Sequence, residues 1–324
     1  ENVVVSRKPL YAIAQWLGGF VPEVSGFTDA ERGGLNDDRI GRALDRLFFH
    51  VDSHALATDV VVAAVRGFGI RLGEIHNDST TVTFHGRYKD PRRGQRDKEP
   101  PVITFGFNKD HRPDLQQLVF ELSTSADGAV PIHFRVHDGN VTDDQTHCET
   151  WQTLRDLVGA ADFLYVADCK LASSETMRFI HKEGGRFVSV LPRTRGETSR
   201  FRERLSREKL DWKEVYCQPD PRHPDGPDIV YEAVEGDLTA EGFRLLWYRS
   251  SQKIVLDQEK RSRQIEAAKI RLRLLEEKLG RGKLKDESGA LAAAKAILEE
   301  FHVEEYLHVR VETQVAEDVE QDGA

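Results

Sequence analysis

The sequence predicts an α/β fold built around a mixed sheet, and three observations carry that prediction. Apolar residues recur at helical spacing up to about residue 70, but from about 74 to 192 they gather into short strand-like runs. Asp127-Gly128 stands between two of these runs, 117–124 and 130–137, and Asp-Gly between β-rich segments is a strong hairpin signal. Beyond the hairpin, helical and strand-like segments alternate, as they do where crossover helices join parallel strands.

The lead-in is helical. Residues 35–49 carry apolar side chains at helical spacing behind Asn36, Asp37 and Asp38, which suit the unpaired amides of a helix start, and 55–68 repeats the spacing. A first strand-like run, 74–86, contains Asp78. After the hairpin come a helix over about 146–158, a strand ending at Asp168, a helix over about 173–183 opened by Ser173 and Ser174, and a strand over 186–192. Three meandering strands followed by right-handed crossovers make the ribonuclease-H-like plan.

After Pro192 that plan is interrupted. Residues 194–213 are charged and helix-like, and four prolines within 219–227 dictate a loop, since proline cannot serve a helix interior or a central strand. Strand-like runs at 229–234 and 243–249 lead into one long helix over about 252–279, and a second helix, 288–300, follows Gly280 and Gly282. No repeat or low-complexity tract interrupts the chain. The expected organisation is a helical N-terminal segment (1–70), the first part of a ribonuclease-H-like core (71–193), and an α+β insertion with a long basic helix and an acidic tail (194–324).

Composition narrows the class. With 324 residues, 39% hydrophobic and 31% charged, the chain can bury a substantial core and still carry exposed charged helices. No apolar run reaches the ~20 residues that span a bilayer, and the start lacks a basic flank followed by an apolar signal core, so no membrane partner is expected. Cys148, Cys169 and Cys217 form no C-x-x-C pair, which argues against a disulfide framework or a cysteine-rich zinc site and for a reducing, cytoplasmic setting. Glu at position 1 and a lone methionine, Met177, read as a fragment or a processed product. The formal charge of -9 is segregated: 249–285 holds 12 Lys/Arg against 5 acids, and 299–324 holds 9 acids against one Arg.

Asp78 and Asp168 each end a strand-like run and are followed by small polar residues or cysteine. Two carboxylates on neighbouring strands suit phosphoryl transfer, because hard oxygen ligands can hold one or two magnesium-type ions there. Aspartates at strand ends also cap turns, and that plainer reading stands beside the metal one. Lys109 and Arg112 bring cations to one turn, as a phosphate contact or simply as a charged turn. The basic helix, with Lys260, Arg261, Lys269, Arg271 and Arg273, reads equally as a DNA-facing element or as a solvated hairpin laced by its own ion pairs. Asp138, Asp143, Asp144 and His147 form an acidic cluster best read as a turn before the next helix, and Cys169 lies in no nucleophile motif.

The stretches 35–47, 76–86, 106–116, 138–147 and 166–173 resemble insertion-sequence transposases of the DDE class, in the superfamily conventionally numbered four and its subgroup numbered sixteen-thirty-four. The resemblance runs in family order from about 35 to 310. It implies that Asp78 and Asp168 are the first two catalytic, metal-binding carboxylates, with Mg2+ or Mn2+ as cofactor. Double-stranded DNA, both transposon ends and target, is the implied partner, and a homodimer within the DNA complex is compatible with it. The implied chemistry is hydrolysis of a phosphodiester at the transposon end, followed by attack of the freed 3'-hydroxyl on target DNA. The family's third acid follows a tyrosine, two residues, an arginine and three more residues. None of the seven tyrosines here has arginine three positions later. The chain therefore reads as C-terminally truncated, with Glu259 and Glu266 as the substitutes to consider. An inactive DNA-binding remnant and a ribonuclease-H-like nuclease are the alternative readings.

Overall fold

A computed structural model describes residues 8–21, 24, 26–50, 53–86, 88, 100–142, 146–281 and 284–312. The chain divides into two compact units, Glu1–Thr198 and Ser199–Ala324.

The first unit opens with helices α1 (Ile13–Leu17), α2 (Asp29–Gly33), α3 (Asp37–His50) and α4 (Ser53–Phe68). Thr28 starts α2 with a reciprocal cap: its hydroxyl accepts the Glu31 amide and the Glu31 carboxylate accepts the Thr28 amide. The chain then enters strands β1 (Glu74–Phe84), β2 (Gln116–Ser125) and β3 (Pro131–His137), followed by α5 (His147–Val158), β4 (Leu164–Ala167), α6 (Ser174–Lys182) and β5 (Arg186–Ser189). The five strands lie in the order β3-β2-β1-β4-β5. β1, β2 and β3 pair antiparallel, while β4 is parallel to both β1 and β5. That order and those directions are the ribonuclease-H-like sheet predicted from the sequence. The Asp127-Gly128 hairpin is present, and its turn is held by the Val130 amide donating to Ser125 Oγ.

One sheet face is packed. α5 and α6 bring Trp151, Leu154, Met177 and Ile180 into a core with Ile75, Phe163 and Tyr165. α5 stops where Gly159 adopts a left-handed conformation, φ 76°, and α6 starts where Ser173 Oγ accepts the Thr176 amide. A Cβ at Gly185 would stand 2.5 Å from the Trp151 ring, so only glycine lets the chain pass that close on its way into β5.

In the second unit β6 (Lys213–Gln218), β7 (Ile229–Glu235) and β8 (Leu246–Ser250) form an antiparallel sheet. Helix α7 (Gly196–Arg207) crosses the division between the units, and its Phe201 stacks on Trp247 at 4.0 Å. β8 runs straight into α8 (Ser251–Glu276), where Ser250 Oγ accepts the Lys253 amide, and α9 (Glu287–Phe301) folds back on α8 around Ala268, Leu298 and Val303. The helix expected over 194–213 ends at Arg207, and β6 begins where the sequence predicts no strand. The residues of β6 are nearly all exposed, so it carries no inside-outside alternation to read. Among the described residues no helix is long and apolar enough to cross a membrane.

Candidate active site

β1 and β4 are parallel neighbours, and their last register pair is Asn77 with Ala167. Asp168 is the first residue past β4, whereas Asp78 stays within β1, paired with Leu122 of β2, rather than ending the strand as the sequence predicts. Each lies one residue beyond the Asn77–Ala167 pair, so the two stand at the same level. Side chains alternate across a strand. Asn77 and Ala167 are buried on the packed face, while Asp78 and Asp168 are exposed and, with His76, Thr80, Phe120, Leu122 and Val166, line a groove of ≈ 510 Å³ on the open face.

Both carboxylates are tied locally. Asp78 Oδ1 accepts the Ser79 amide at 2.8 Å, and Asp168 Oδ1 accepts the Lys170 amide at 2.9 Å. Ser189 Oγ donates to the Asp168 carbonyl at 2.6 Å, which ties the end of β4 to β5. The Asp78 side chain remains 76% exposed, open to further ligands. Lys109 Nζ stands 3.5 Å from Asp78 Oδ1 and donates to the Ser79 carbonyl.

The loop that delivers Lys109 is held from three sides. Gln117, buried, donates from Nε2 to the carbonyls of Gly139 (2.7 Å) and Phe107 (3.1 Å). A Cβ at Gly106 would meet the Gly139 carbonyl oxygen at 2.0 Å, so a glycine is required for the two backbones to approach. Asn108, also buried, closes the turn by accepting the Asp110 amide at 2.7 Å. Arg112, predicted beside Lys109, makes a two-pronged contact with Asp114 at 2.8 and 2.7 Å. Hydrogen bonding from Arg112 holds the Asp114 carboxyl at about 2.

Beneath the acids, on the packed face, lies a polar network the sequence did not announce. Glu121 is 2% exposed. Its Oε1 accepts Thr150 Oγ1 at 2.7 Å and Asn77 Nδ2 at 3.1 Å, and His137 Nε2 lies 2.8 Å from its Oε2. Burial alone would raise this carboxyl, but the bonds from His137, Thr150 and Asn77 outweigh it and keep the value below the ordinary one. Asn77 also donates to Ser123 Oγ at 2.9 Å, so the residue immediately before Asp78 is fixed by two side chains of β2. Nearby, His147 Nδ1 meets the Tyr165 hydroxyl at 3.1 Å, and burial pushes that phenol well above its usual value.

The remaining predicted residues fall elsewhere. Asp138 Oδ1 accepts the Val102 amide at 2.7 Å and thus braces the loop, while Asp143 and Asp144 lie outside the described residues. Lys260, Arg261, Lys269, Arg271 and Arg273 are all exposed on α8 in the second unit. Lys269 pairs with Glu266 at 2.8 Å, and Arg261 lies over the Tyr306 ring at 4.9 Å.

Among the described residues no three of His, Cys, Asp and Glu stand together as a metal cage. Two exposed carboxylates at one level on one face nonetheless fit a magnesium-type ion, which keeps several waters and takes only one or two protein carboxylates. A lysine ammonium already beside Asp78 shows that the spot favours positive charge.

No protein-family model matches the chain, and no curated protein matches it. Among solved structures it is similar to a piggyBac transposase synaptic complex with hairpin DNA, at 12% identity over 62% of this chain and 40% of that chain, TM-score 0.32. It is also similar to the Mos1 transposase paired-end complex with left transposon end, at 7% identity over 58% and 61% of the two chains, TM-score 0.25, and to the Mos1 mariner paired end complex with Mn, at 9% over 61% and 66%, TM-score 0.25. The match thus spans two fifths of the piggyBac chain and about two thirds or less of the Mos1 chains. These likenesses are loose, and the ribonuclease-H-like assignment rests on the strand order and directions described above.

Proposed function

We propose that this chain carries the first two carboxylates of a DDE-class transposase site and works on double-stranded DNA. The observation that supports the reading is the matched placement of Asp78 and Asp168, one residue past the Asn77–Ala167 pair on adjacent parallel strands. Their oxygens would hold one Mg2+ or Mn2+ ion, with water and a DNA phosphate completing its ligands. Such an ion, when bound, supplies charge neutralisation at the phosphodiester and a more acidic water. The residues of the chain do the positioning. Asp78 and Asp168 fix where a phosphate can approach, and Lys109 adds a cation at its edge. In the second unit, the excess of basic residues along α8 suits sequence-independent binding to phosphates. A homodimer would bring two transposon ends into one complex.

With no third acid beside the pair among the described residues, residues 1–324 should bind duplex DNA more tightly in Mn2+ than in chelator, yet join no 3' ends. Asp78→Asn and Asp168→Asn should each remove the metal-dependent gain. DNA binding indifferent to metal would defeat the proposal, and efficient end joining would redirect attention to Glu259 and Glu266. For the basic helix, replacing Lys260, Arg261, Lys269, Arg271 and Arg273 by Gln should flatten the salt dependence of duplex binding by about 0.9 for each phosphate no longer neutralised. An unchanged slope with α8 still folded would leave it a solvated hairpin.

A further inference from the structure

One feature of the acid pair goes unused by metal binding alone: an ammonium seated on one of the two acids. A surface lysine ordinarily keeps its rotamer freedom in water. Here Gln117, Gly106, Gly139 and Asn108 build a loop that sets Lys109 against Asp78 and the Ser79 carbonyl. The loop therefore gives up freedom to place a positive charge where a metal ligand needs one.

We infer that Lys109 and a divalent ion are alternative partners of Asp78. The ammonium neutralises the carboxylate until an ion is bound, then swings off toward the phosphate of the DNA strand. This rests on the reading of Asp78 and Asp168 as metal ligands. The physical reason is repulsion. An ammonium 3.5 Å from Asp78 Oδ1 and an ion ~2.1 Å from the same oxygen lie no more than ~6 Å apart, and a divalent and a monovalent charge at that spacing oppose each other by about tenfold in affinity even in water. A lysine merely decorating the rim would exert no effect so tied to one position. One that yields to the ion keeps the empty carboxylates compensated and arrives at the phosphate only when the site is charged.

The test is Mn2+ titration of the full chain, followed by electron paramagnetic resonance, for wild type, Lys109→Met and Lys170→Met. Lys170 lies two residues past Asp168 and serves as a control for the general field. Because the ammonium leaves as the ion binds, the ion has to break only the exposed Lys109–Asp78 pair, so Lys109→Met should bind Mn2+ about three- to fivefold tighter, and Lys170→Met within about 1.5-fold of wild type. In parallel, acylation of the Lys109 amine by a succinimidyl ester, read by mass spectrometry, should speed up when Mn2+ is added to wild type and not when it is added to Asp78→Asn. Equal affinities for wild type and Lys109→Met, an equal gain in Lys170→Met, or labelling indifferent to Mn2+ would each overturn the inference. If Mn2+ binding is lost in Asp78→Asn but wild type and Lys109→Met bind equally, the metal reading stands and the exchange fails. Failure of both wild type and Lys109→Met to bind Mn2+ would remove the metal reading itself.

Discussion

The two faces of the five-stranded sheet are made by the same strands in alternation, yet they differ in covering and polarity. The packed face takes α5 and α6, seals Trp151 and Tyr165 completely, and buries Gln117, Glu121 and Ser123 with hydrogen-bond partners. The open face carries Asp78 and Asp168 among half-exposed Phe120 and Leu122, with Phe134, Val136, Val188 and Val190 exposed. Polar groups inside and apolar groups outside invert the usual pattern for β2. The inversion is stable because the buried carboxylate is engaged by three partners, whereas an uncovered valine costs little. It shows that this sheet concentrates its buried contacts on one side and leaves both aspartates exposed on the other.

Breaking the packed face should have the largest effect. Glu121→Ala strands Asn77, Thr150 and His137 without their shared acceptor, so unfolding free energy should drop by about 3 kcal/mol in urea titration. A loss under about 0.5 kcal/mol would mean the network is not cooperative. On the open face the outcome should be reversed. Asp78→Asn and Asp168→Asn should weaken Mn2+ binding by at least ~100-fold, since losing a ligand outweighs the roughly 10- to 100-fold typical of outer partners, with urea midpoints nearly unmoved because both side chains are exposed. Gly106→Ala sharpens the division, since its Cβ collides with the Gly139 carbonyl and must displace the Lys109 loop. It should cost about 2 kcal/mol and alter Mn2+ affinity as well.

A smaller, pH-dependent effect follows from Glu121. Its carboxyl is lowered in the folded chain, so its contribution is present above the unfolded value of about 4.3 and is lost as pH falls through the folded value. Urea midpoints should therefore decline below about pH 4.3, and the decline should be shallower in Glu121→Gln. Parallel pH profiles for the two proteins would remove Glu121 from the acid sensitivity.

The open face is more legible in the sequence than the packed one. Asp168 stands out because it ends a recognisable strand, while Asp78, read from the sequence as a strand end, lies inside a β1 that continues to Phe84; the meander-then-crossover order still brings the two strands together. The long helix and its partner follow from helical spacing, and α8 and α9 fall within a few residues of the expected bounds. Glu121 is not legible, because a glutamate in an alternating run ordinarily marks the solvent side, and only its three partners from β1, β3 and α5 reverse that. Lys109 and Arg112 look alike in sequence, yet one reaches Asp78 and the other closes on Asp114. Gly106 and Gly139, which make that difference, read as ordinary loop residues until their backbones are seen to touch.

Iron-directed cleavage can locate an ion held jointly by Asp78 and Asp168. Fe2+ placed in the protein with ascorbate and peroxide cuts the backbone beside its own ligands. Paired cuts are expected near residues 78 and 168, suppressed by excess Mg2+ and lost together in Asp168→Asn. Cuts confined to the second unit, or cuts near 78 that survive Asp168→Asn, would contradict a metal site shared between β1 and β4.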